Sequence, residues 1–586
     1  MNPLDYLNAL HNHIDITEVP FSDRGSRLLL FRYAEQPALY IKLAERLTRL
    51  DPGTESYFKR LPFITGLMLI DAHRATLDFE TITDPYQLTL KTRLGDFQIV
   101  FQNLQTLAFG FPQGVACGLR FHVDPLYLHT FDDGGKIMSL RDLTYRTNGV
   151  FVVNSITPEA DGFSVELILE AGSSNTLTLA IPPDVDNFSL VRPFSALREE
   201  AIQRWLDWFA AEPEVHPRYF ETYAYAWWVM GNNLISPKGY IRYETMTPSK
   251  IGYVGLWLWD SALHALAFRH VDAVLARNQL LAMVAHQLPN GMLPDAVYDE
   301  GIVTRIDHPF QGIVTKPPIF AWAALKLHQT APDLDFLAEL YPHLILENEW
   351  WLTYNDDDHD GLAQYNHPYS SGLDDSPLWD QGMPVESPEL NTYLVLQMQS
   401  LAEIAQALNR VEEAGKWRSR ASRLVALMMD HFWDEKAGLF WVLKDHQPVK
   451  VVTPFNLYPL WTAQLPAKIQ QKLMRHLQDP RQFWGKFMLP TVARNDASFD
   501  PQTMWRGPVW ANVNYFFIEA LQKIGRKDLA DILCNRTLEM IMAQKGMFEF
   551  YDPETGIPPA SAVRTFGWTA AVFIDLAIQR SREVQS

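Results

Sequence analysis

Two adjacent aspartates occupy a loop whose composition would allow acid–base chemistry. The segment HPYSSGLDDSPLWD places Asp374 beside Asp375, between Gly372 and Pro377. Neighbouring side chains point in different directions, so at most one of the two carboxyls should face a given pocket. Ser-Gly and Asp-Ser-Pro are also ordinary turn sequences, and this segment alone favours a solvated turn over a catalytic loop.

A second acidic residue has apolar neighbours. The segment KGMFEFYDPETGIPP places Glu549 between Phe548 and Phe550. Such surroundings would raise the pKa of a carboxyl or shield a general base from water. Glu549 could equally be a strand residue that faces solvent beside the DPETG turn, so the sequence leaves the two interpretations even.

Three aromatic motifs give these acids a context, because the apolar C–H faces of a sugar stack on indole while its hydroxyls need carboxylates and amides. The motifs are YVGLWLWDSALHALAF, MWRGPVWANVNYF and TFGWTAAV. Core packing is the better explanation for most of the 18 tryptophans. The exceptions stand next to glycine, proline or charge. The candidate sugar-binding residues in these motifs are Tyr253, Trp257, Trp259, Asp260, Trp505, Arg506, Trp510 and Trp568.

Three polar residues of these motifs have alternative interpretations. Asp260 could cap its helix as readily as bind a sugar. His264, one helical turn later, is more often a structural histidine than a catalyst. Arg506 precedes a Gly-Pro pair and is an unusual core residue, so we expect it to pair with a carboxylate at the site.

Seven strings in a fixed order carry a resemblance to a known family. They are LWLWDSALH, NGMLPD, KPPIFAWA, NDDDHDGL, SGLDDSPLWD, WRGPVWANVNYF and FEFYDPETG. Together they resemble glycoside hydrolase family 63 and its mannosylglycerate-hydrolase-like branch, whose members look like inverting glycosidases. The resemblance implies that Asp374 is the general acid and Glu549 the general base. It places Trp257, Trp259, Asp260, Arg506 and Trp510 around the −1 sugar. Weaker candidates, which could be wall packing, are Tyr253, Lys316, Trp379 and Trp568.

The chemistry of inversion agrees with this assignment. A protonated carboxyl gives its proton to the glycosidic oxygen, and an ionised carboxyl on the other face of the sugar activates water. The two carboxyls should be ~6.5–9.5 Å apart to leave room for that water. Asp374 and Glu549 are 175 positions apart, on different loops, so they can line opposite walls of one pocket.

The segment YNDDDHDGLAQY begins like a calcium loop, with Asp356, Asp358 and Asp360 followed by Gly361. His367 stands at position twelve, where an EF-hand has a bidentate glutamate, so a full EF-hand is excluded. The family resemblance leaves two possibilities: a structural calcium site with ligands borrowed from elsewhere, or a helix stop without metal. No cofactor is required for the predicted chemistry.

Composition limits the partners. A net charge of −19 repels nucleic acid and anionic membranes. The amino terminus lacks a basic stretch followed by an apolar run, so we expect a cytoplasmic protein with a small carbohydrate substrate. Cys117 and Cys534 are too few for a disulfide framework and are expected to be buried thiols. The oligomeric state stays open.

Patterning predicts two domains in the 586 residues. Residues 1–194 contain no tryptophan and read as short alternating strands, which predicts an antiparallel β-sandwich with one helical insertion from Pro37 to Arg49. Residues 195–586 change to helical periodicity, and twelve helices in hairpin pairs favour an (α/α)6 toroid. The predicted helices are 196–210, 217–235, 257–269, 271–287, 317–330, 334–354, 387–408, 411–432, 466–478, 508–524, 526–543 and 566–581.

These observations favour an inverting glycosidase acting on a small α-glucoside, α-mannoside or glycosylglycerate-like substrate. A glycoside phosphorylase would keep the acid but replace the base with a phosphate pocket, and Glu549 argues against it. An epimerase on a related barrel would need paired catalytic histidines, which are not evident. A non-catalytic glycan-binding protein would leave the two acids unexplained.

Overall fold

The chain forms two compact units in the computed structural model, which describes residues 2–46, 62–124, 127–138, 142–160, 162–181 and 190–585. The first unit comprises Met1–Glu212, Met230–Ser236 and Lys250–Val254, and the second comprises Pro213–Val229, Pro237–Ser249 and Gly255–Ser586. The boundary predicted between residues 194 and 195 lies at the start of a helix that this division assigns to the first unit.

The first unit contains two antiparallel sheets, as the alternating segments predict. One has the strand order β1-β2-β3-β8-β13-β12, and the other β4-β5-β6-β7-β14-β11-β10-β9. Tyr145 of the second sheet packs edge-on against Phe151 of the first, and its hydroxyl donates to Asn154 at 2.7 Å. The strands are β1 (Leu28–Arg32), β2 (Leu39–Leu43), β3 (Ile64–Asp71), β4 (Glu80–Thr83), β5 (Leu88–Thr92), β6 (Gly95–Asn103), β7 (Thr106–Gly110), β8 (Cys117–Val123), β9 (Tyr127–Phe131), β10 (Gly134–Met138), β11 (Leu143–Thr147), β12 (Phe151–Glu159), β13 (Gly162–Leu169) and β14 (Thr176–Ala180).

The helical insertion predicted from Pro37 to Arg49 is wrong where the structure describes it. Strand β2 occupies this segment and pairs antiparallel with β1. Leu39 and Ile41 are fully buried while Tyr40 and Lys42 are partly exposed, which is the two-residue period of a strand. Cross-strand pairing outweighs the helical tendency of the local sequence. Residues 47–49 of this prediction lie outside the described residues.

Helix α2 (Phe194–Phe209) packs on the eight-stranded sheet, because Leu197 and Ala201 form one core cluster with Val100 and Ala108 of the sheet. It was counted among the helices of the predicted toroid, but it belongs to the first unit. A short helix, α1 (Pro3–Leu10), begins at the capping residue Asn2 and was not predicted.

The second unit is helical, and each predicted helical stretch from 217 onward contains a helix. Long apolar-periodic segments therefore gave correct element types. The helices are α3 (Phe220–Asn232), α4 (Leu258–Phe268), α5 (Ala273–Val284), α6 (Phe320–Thr330), α7 (Leu334–Tyr354), α8 (Pro388–Ala407), α9 (Val411–His431), α10 (Ala467–Leu477), α11 (Ala511–Lys523), α12 (Lys527–Met542) and α13 (Gly567–Gln585).

Six elements of this unit contact one another in a closed order. Helix α4 contacts α6, α6 contacts α8, and α8 contacts a 3-10 segment, Pro454–Thr462, which contacts α11; α11 contacts α13, which returns to α4. Helices α4, α8 and α11 are buried on nearly all sides, whereas α9 and α10 each bury one face. These contacts close into a ring of six elements.

Short strands lie in the loops between the helices. They are β15 (Leu234–Ile235), β16 (Thr245–Met246), β17 (Leu256–Trp257), β18 (Ala296–Tyr298), β19 (Gly301–Val303), β20 (Arg305–Ile306), β21 (Gly312–Ile313), β22 (Gln364–Tyr365), β23 (Val385–Glu386), β24 (Trp433–Asp434), β25 (Leu439–Phe440), β26 (Val442–Lys444) and β27 (Gln447–Val449). Among the helices within the described ranges, we found none with the length and apolar character needed to cross a bilayer.

Candidate active site

Four tryptophans form an aromatic cluster at the starts of α4, α11 and α13. The indoles of Trp505 and Trp510 stack in parallel with centroids 3.7 Å apart. Trp568 meets Trp510 at 5.4 Å and Trp259 edge-on at 5.2 Å. All four are buried, and Phe550 packs against Trp510. The structure thus brings together residues from all three aromatic motifs.

The start of α4 is fixed by a small β-ladder. Trp257 pairs through its backbone with Ala296 in β18, and Leu258 donates its amide to the carbonyl of Asp295 at 3.1 Å. The N-cap position of α4 is occupied by Trp257, whose side chain makes no capping hydrogen bond. Asp260 therefore does not occupy the capping position that was one of its two interpretations. Asp260 lies in the first turn and is 4% exposed. Burial raises its pKa well above the ordinary value; Lys316 opposes this rise, and the charge of Glu549 adds to it.

The loop with the paired aspartates runs between two 3-10 turns, Pro368–Ser371 and Pro377–Trp379. Gly372 links the first turn to the acids with a φ of +72°, and a Cβ there would lie 2.4 Å from the indole of Trp259. Only glycine combines this backbone conformation with so close an approach. The loop is therefore held against Trp259, in the first turn of α4.

Asp374 has the properties of a general acid. Its side chain is partly exposed, but Oδ1 is buried and has no hydrogen-bond partner among the described residues. Burial raises its pKa from 3.8 to about 7; Lys316 opposes this rise, while Asp295 and Asp375 add to it. A carboxyl with this pKa holds a proton in a large share of molecules at neutral pH.

Asp375 is anchored instead. Its Oδ1 accepts the backbone amide of Trp505 at 2.8 Å, and its carbonyl accepts from Arg506 at 3.0 Å. The Arg506 guanidinium also makes two hydrogen bonds to Asp380, at 2.9 and 2.7 Å. Arg506 thus pairs with a carboxylate, as expected, but one that is half-exposed beside the acid loop.

Glu549 is buried and does not face solvent, so the alternative of an exposed strand residue is wrong. Its side chain is 3% exposed, and its backbone amide donates to Val563 at 2.9 Å. The amide of Val563 in turn donates to Glu549 Oε2 at 3.2 Å. Val509 and Tyr551 pair nearby, which joins this loop to the start of α11.

Lys316 links the acidic residues. Its Nζ lies 2.6 Å from Asp295 Oδ1 and donates to the carbonyl of Tyr369 at 2.5 Å, just before the acid loop. Burial lowers the pKa of Lys316, but the charges of Asp295, Asp374 and Asp260 outweigh that effect and raise it. Asp295 is the last residue of the string NGMLPD, and the sequence predicts no role for it. Its neighbours in the sequence give no functional signal, because its contact with Lys316 forms only in the folded chain.

Three other residues named from the sequence are Trp379, Tyr253 and His264. Trp379 donates its indole N–H to the carbonyl of Leu373 at 2.8 Å and packs edge-on against Tyr365, which supports the acid loop from behind. Tyr253 belongs to the Lys250–Val254 segment of the first unit. His264 is fully buried, and burial lowers its pKa to about 3, so it is a neutral structural histidine.

The aspartate loop gathers carboxylates away from these acids. Oxygens of Asp356, Asp358 and Asp360 lie within 4.8 Å of one another, and ligand atoms of Asp358, Glu386 and His446 form a second such group. Buried oxygens of Asp356 and Glu386 have no hydrogen-bond partner within the described ranges. His367 accepts the amide of Tyr369 at 3.1 Å, and its other ring nitrogen contacts the carbonyl of Phe310, so it is not a ligand.

The chain is similar to a family of known glycoside hydrolases. Residues 253–569 match the family described as the mannosylglycerate hydrolase MGH1-like glycoside hydrolase domain. A mannosylglycerate hydrolase from Thermus thermophilus is 29% identical over 54% of this chain and 92% of its own length. A glucosylglycerate hydrolase from Mycolicibacterium hassiacum is 24% identical over 56% of this chain and 93% of its own. A bacterial glucoamylase in complex with acarbose shares the fold over 97% of both chains, with 12% identity and a TM-score of 0.60.

The matched family and the named relatives are glycoside hydrolases, so this protein is a glycoside hydrolase. The match covers more than half of the chain. The protein therefore belongs to the MGH1-like branch of glycoside hydrolase family 63.

Proposed function

We propose that this protein is an inverting α-glycosidase in which Asp374 is the general acid and Glu549 the general base. The observation that carries the proposal is Asp374 itself: a carboxyl with a buried, unpartnered oxygen and a pKa raised to about 7 by burial. Its neighbour Asp375 is held by Trp505 and Arg506, so one aspartate of the pair is free for chemistry.

The proposed reaction is a single displacement. Asp374 gives its proton to the glycosidic oxygen as the bond to the anomeric carbon breaks. In the same step, Glu549 accepts a proton from the water that attacks the anomeric carbon from the opposite face. We expect the two carboxyls to be ~6.5–9.5 Å apart, the separation that admits a water molecule. The apolar neighbours Phe548 and Phe550 limit the access of other water to the base.

The proposal extends to the subsite and the barrel. Trp257, Trp259, Asp260 and Trp510 would contact the −1 sugar, with Asp260 taking ring hydroxyls. Arg506 would act through Asp375 and Asp380, since its hydrogen bonds go to the acid loop. The closed order of α4, α6, α8, Pro454–Thr462, α11 and α13 supports an (α/α)6 toroid in which the 3-10 segment takes the place of one inner helix.

We propose a small substrate of the glycosylglycerate type, since the relatives are named as mannosylglycerate and glucosylglycerate hydrolases. A carboxylate on the aglycone needs a cation to recognise it. We propose that Arg564 supplies this cation. Arg564 is exposed and directly follows Val563, whose amide binds Glu549.

The test is to incubate the protein with mannosylglycerate, glucosylglycerate, trehalose and α-glucobioses, with and without phosphate, while the anomeric protons are followed by NMR from the first minutes. We expect the β-anomer of the free sugar to appear first. Release of the α-anomer would contradict inversion. A sugar phosphate that forms only with phosphate would indicate a phosphorylase, and binding without turnover a glycan-binding protein.

Glu549→Gln separates the hydrolase from the phosphorylase more sharply. A hydrolase that uses Glu549 as its base should lose at least ~100-fold in turnover, whatever the leaving group. A phosphorylase would not need this carboxylate, and its phosphate-dependent rate would survive. The folded variant is verified by its circular dichroism and melting temperature.

The aspartate loop remains a proposed calcium site, with Glu386 as the carboxylate that position twelve lacks. The buried, unpartnered oxygen of Glu386 and the acidic oxygens close to it fit a cation that prefers oxygen ligands. Millimolar calcium should then raise the melting temperature, and Glu386→Gln should abolish this response. Equal melting temperatures in calcium and in a chelator would exclude the site.

A further inference from the structure

Asp295 lies where it can control the charge around the proposed general acid. It is 6% exposed, and its carboxylate is 2.6 Å from Lys316 Nζ, whose side chain is also 6% exposed. A buried lysine with a carboxylate at this distance is an ion pair in a poorly hydrated environment, where each charge acts strongly on its neighbours.

The main chain of Asp295 is held by two backbone hydrogen bonds. Its amide donates to Val303 at 2.9 Å, and its carbonyl accepts the amide of Leu258 at 3.1 Å. Asp295 is therefore part of the ladder that begins α4 next to Trp259 and Asp260. Its carboxylate therefore extends from a backbone that two hydrogen bonds hold in place.

Lys316 reaches from this ladder to the acid loop. Its ammonium group donates to the carbonyl of Tyr369 at 2.5 Å, and Tyr369 lies in the 3-10 turn that leads through Gly372 to Asp374. One side chain thus connects the loop of the general acid with the start of α4, and Asp295 determines its position.

We propose that Asp295 is a positioning residue for the glycosidase reaction: it holds the Lys316 ammonium between the acid loop and α4, and it offsets the lysine charge so that Asp374 keeps its proton. The inference rests on the proposed role of Asp374 and adds a residue with no previously assigned function. No bond to the substrate is required of Asp295.

The charged groups around Asp374 predict the direction in which its pKa should shift when one of them is removed. Lys316 lowers the pKa of Asp374, whereas Asp295 and Asp375 raise it, in addition to the larger effect of burial. Lys316 itself faces Asp295, Asp374 and Asp260, and Asp260 faces Glu549 as well. Loss of the Asp295 charge should therefore lower the pKa of Asp374, and loss of the Lys316 charge should raise it.

The test compares the pH profiles of kcat/KM for the wild type, Asp295→Asn and Lys316→Met. The high-pH limb reports loss of the proton from the acid of the free enzyme. We expect this limb to move by at least about half a pH unit toward lower pH in Asp295→Asn and toward higher pH in Lys316→Met. Asp295→Glu keeps the charge and should keep the limb of the wild type. A reduced kcat with an unmoved limb in Asp295→Asn would overturn the inference.

Asp333→Asn is the matched control. Asp333 pairs with Arg277 at 2.6 Å and caps α7, a role that asparagine also fills. In this control the same Asp-to-Asn change is made beside a cation, and the high-pH limb of kcat/KM should not move. A limb that moves equally in this control would also overturn the inference.

A readout without substrate separates this inference from the proposed function. The melting temperature of each variant is measured against pH, alone and combined with Asp374→Asn, and the difference between the two curves follows the ionisation of Asp374. This difference should decline as pH rises from 3.8 and should level off near about 7 in the wild type, but at a lower pH in Asp295→Asn. The same levelling-off pH in both proteins would refute the inference even if no glycoside were turned over.

Discussion

Asp374 and Asp575 are two aspartates of the helical unit whose pKa values move in opposite directions. Burial raises the pKa of both, but Asp575 accepts from Arg269 and from Tyr515, at 2.7 and 2.6 Å, and lies 2.7 Å from a ring nitrogen of His270. These partners outweigh burial, so the pKa of Asp575 lies well below its ordinary value. The buried Oδ1 of Asp374 has no hydrogen-bond partner in the described part of the chain, and Lys316 opposes burial only in part, so the pKa of Asp374 rises to about 7.

The difference shows that burial by itself does not determine the state of an acid. Asp575 is a permanent anion that ties α13 to Arg269 and His270, which follow α4, and to Tyr515 in α11. Burial of Asp374 is not offset in this way, because its buried oxygen has no hydrogen-bond partner among the described residues. Asp575 joins α4, α11 and α13, whereas Asp374 is the acid that we propose for proton transfer.

The strongest way to break this comparison is to remove each carboxyl and measure turnover. Asp374→Asn should lose ~10²–10⁴-fold in kcat, because the leaving oxygen loses its proposed proton donor. A substrate whose leaving group departs without protonation should lose far less. Asp575→Asn, assayed while folded, should keep kcat within about tenfold. Near-normal turnover by Asp374→Asn would remove it from the mechanism.

The reverse ranking should hold for stability. Asp575→Asn leaves Arg269 and His270 without their shared anion and should cost about 3–5 kcal/mol of unfolding free energy. Denaturant titration at pH 7 measures this loss. The full loss is expected there, because the contribution of an acid with a lowered pKa disappears only as pH falls below its ordinary value of 3.8. A loss as large in Asp374→Asn would contradict the comparison.

A pH series sharpens the contrast. Asp374 has a raised pKa, so its contribution to stability is complete below 3.8 and declines as pH rises through about 7. Asparagine at position 374 cannot ionise, so the Asp374→Asn variant should not show this decline in stability. Its melting temperature should exceed that of the wild type by ~2–6 °C more at pH 8 than at pH 4. A constant difference across this range would show that Asp374 does not titrate in the folded protein.

The smallest expected effect concerns the neighbouring acid. Asp375→Asn keeps an oxygen for the amide of Trp505, so kcat should fall by less than about tenfold. The charge of Asp375 raises the pKa of Asp374, so its loss should shift the high-pH limb of kcat/KM slightly toward lower pH. A loss as large as that of Asp374→Asn would mean that the roles of the two acids are exchanged.

Sequence patterning predicted the helical unit well because long amphipathic segments repeat one signal many times. It failed where tertiary pairing overrides local preference, as in β2, and where proline breaks the period. The 3-10 segment Pro454–Thr462 contains Pro459 and carries no helical repeat, although it occupies an inner position of the ring.

The site was predictable to the level of motifs but not of individual contacts. The choice between Asp374 and Asp375 depends on the amide of Trp505, 130 positions away from Asp375. Asp295 could not be recognised because its partner, Lys316, reaches it only in the folded chain. Contacts between distant segments are absent from any local pattern.

The contact between Gly372 and Trp259 has a consequence for altering specificity. Gly372 precedes the proposed proton donor by two residues, and a methyl carbon at Gly372 would lie 2.4 Å from the indole of Trp259, a proposed wall of the sugar subsite. A smaller residue at position 259 would remove the surface on which the backbone of this loop rests. In this enzyme, redesign of sugar selectivity and preservation of acid catalysis would have to be solved together.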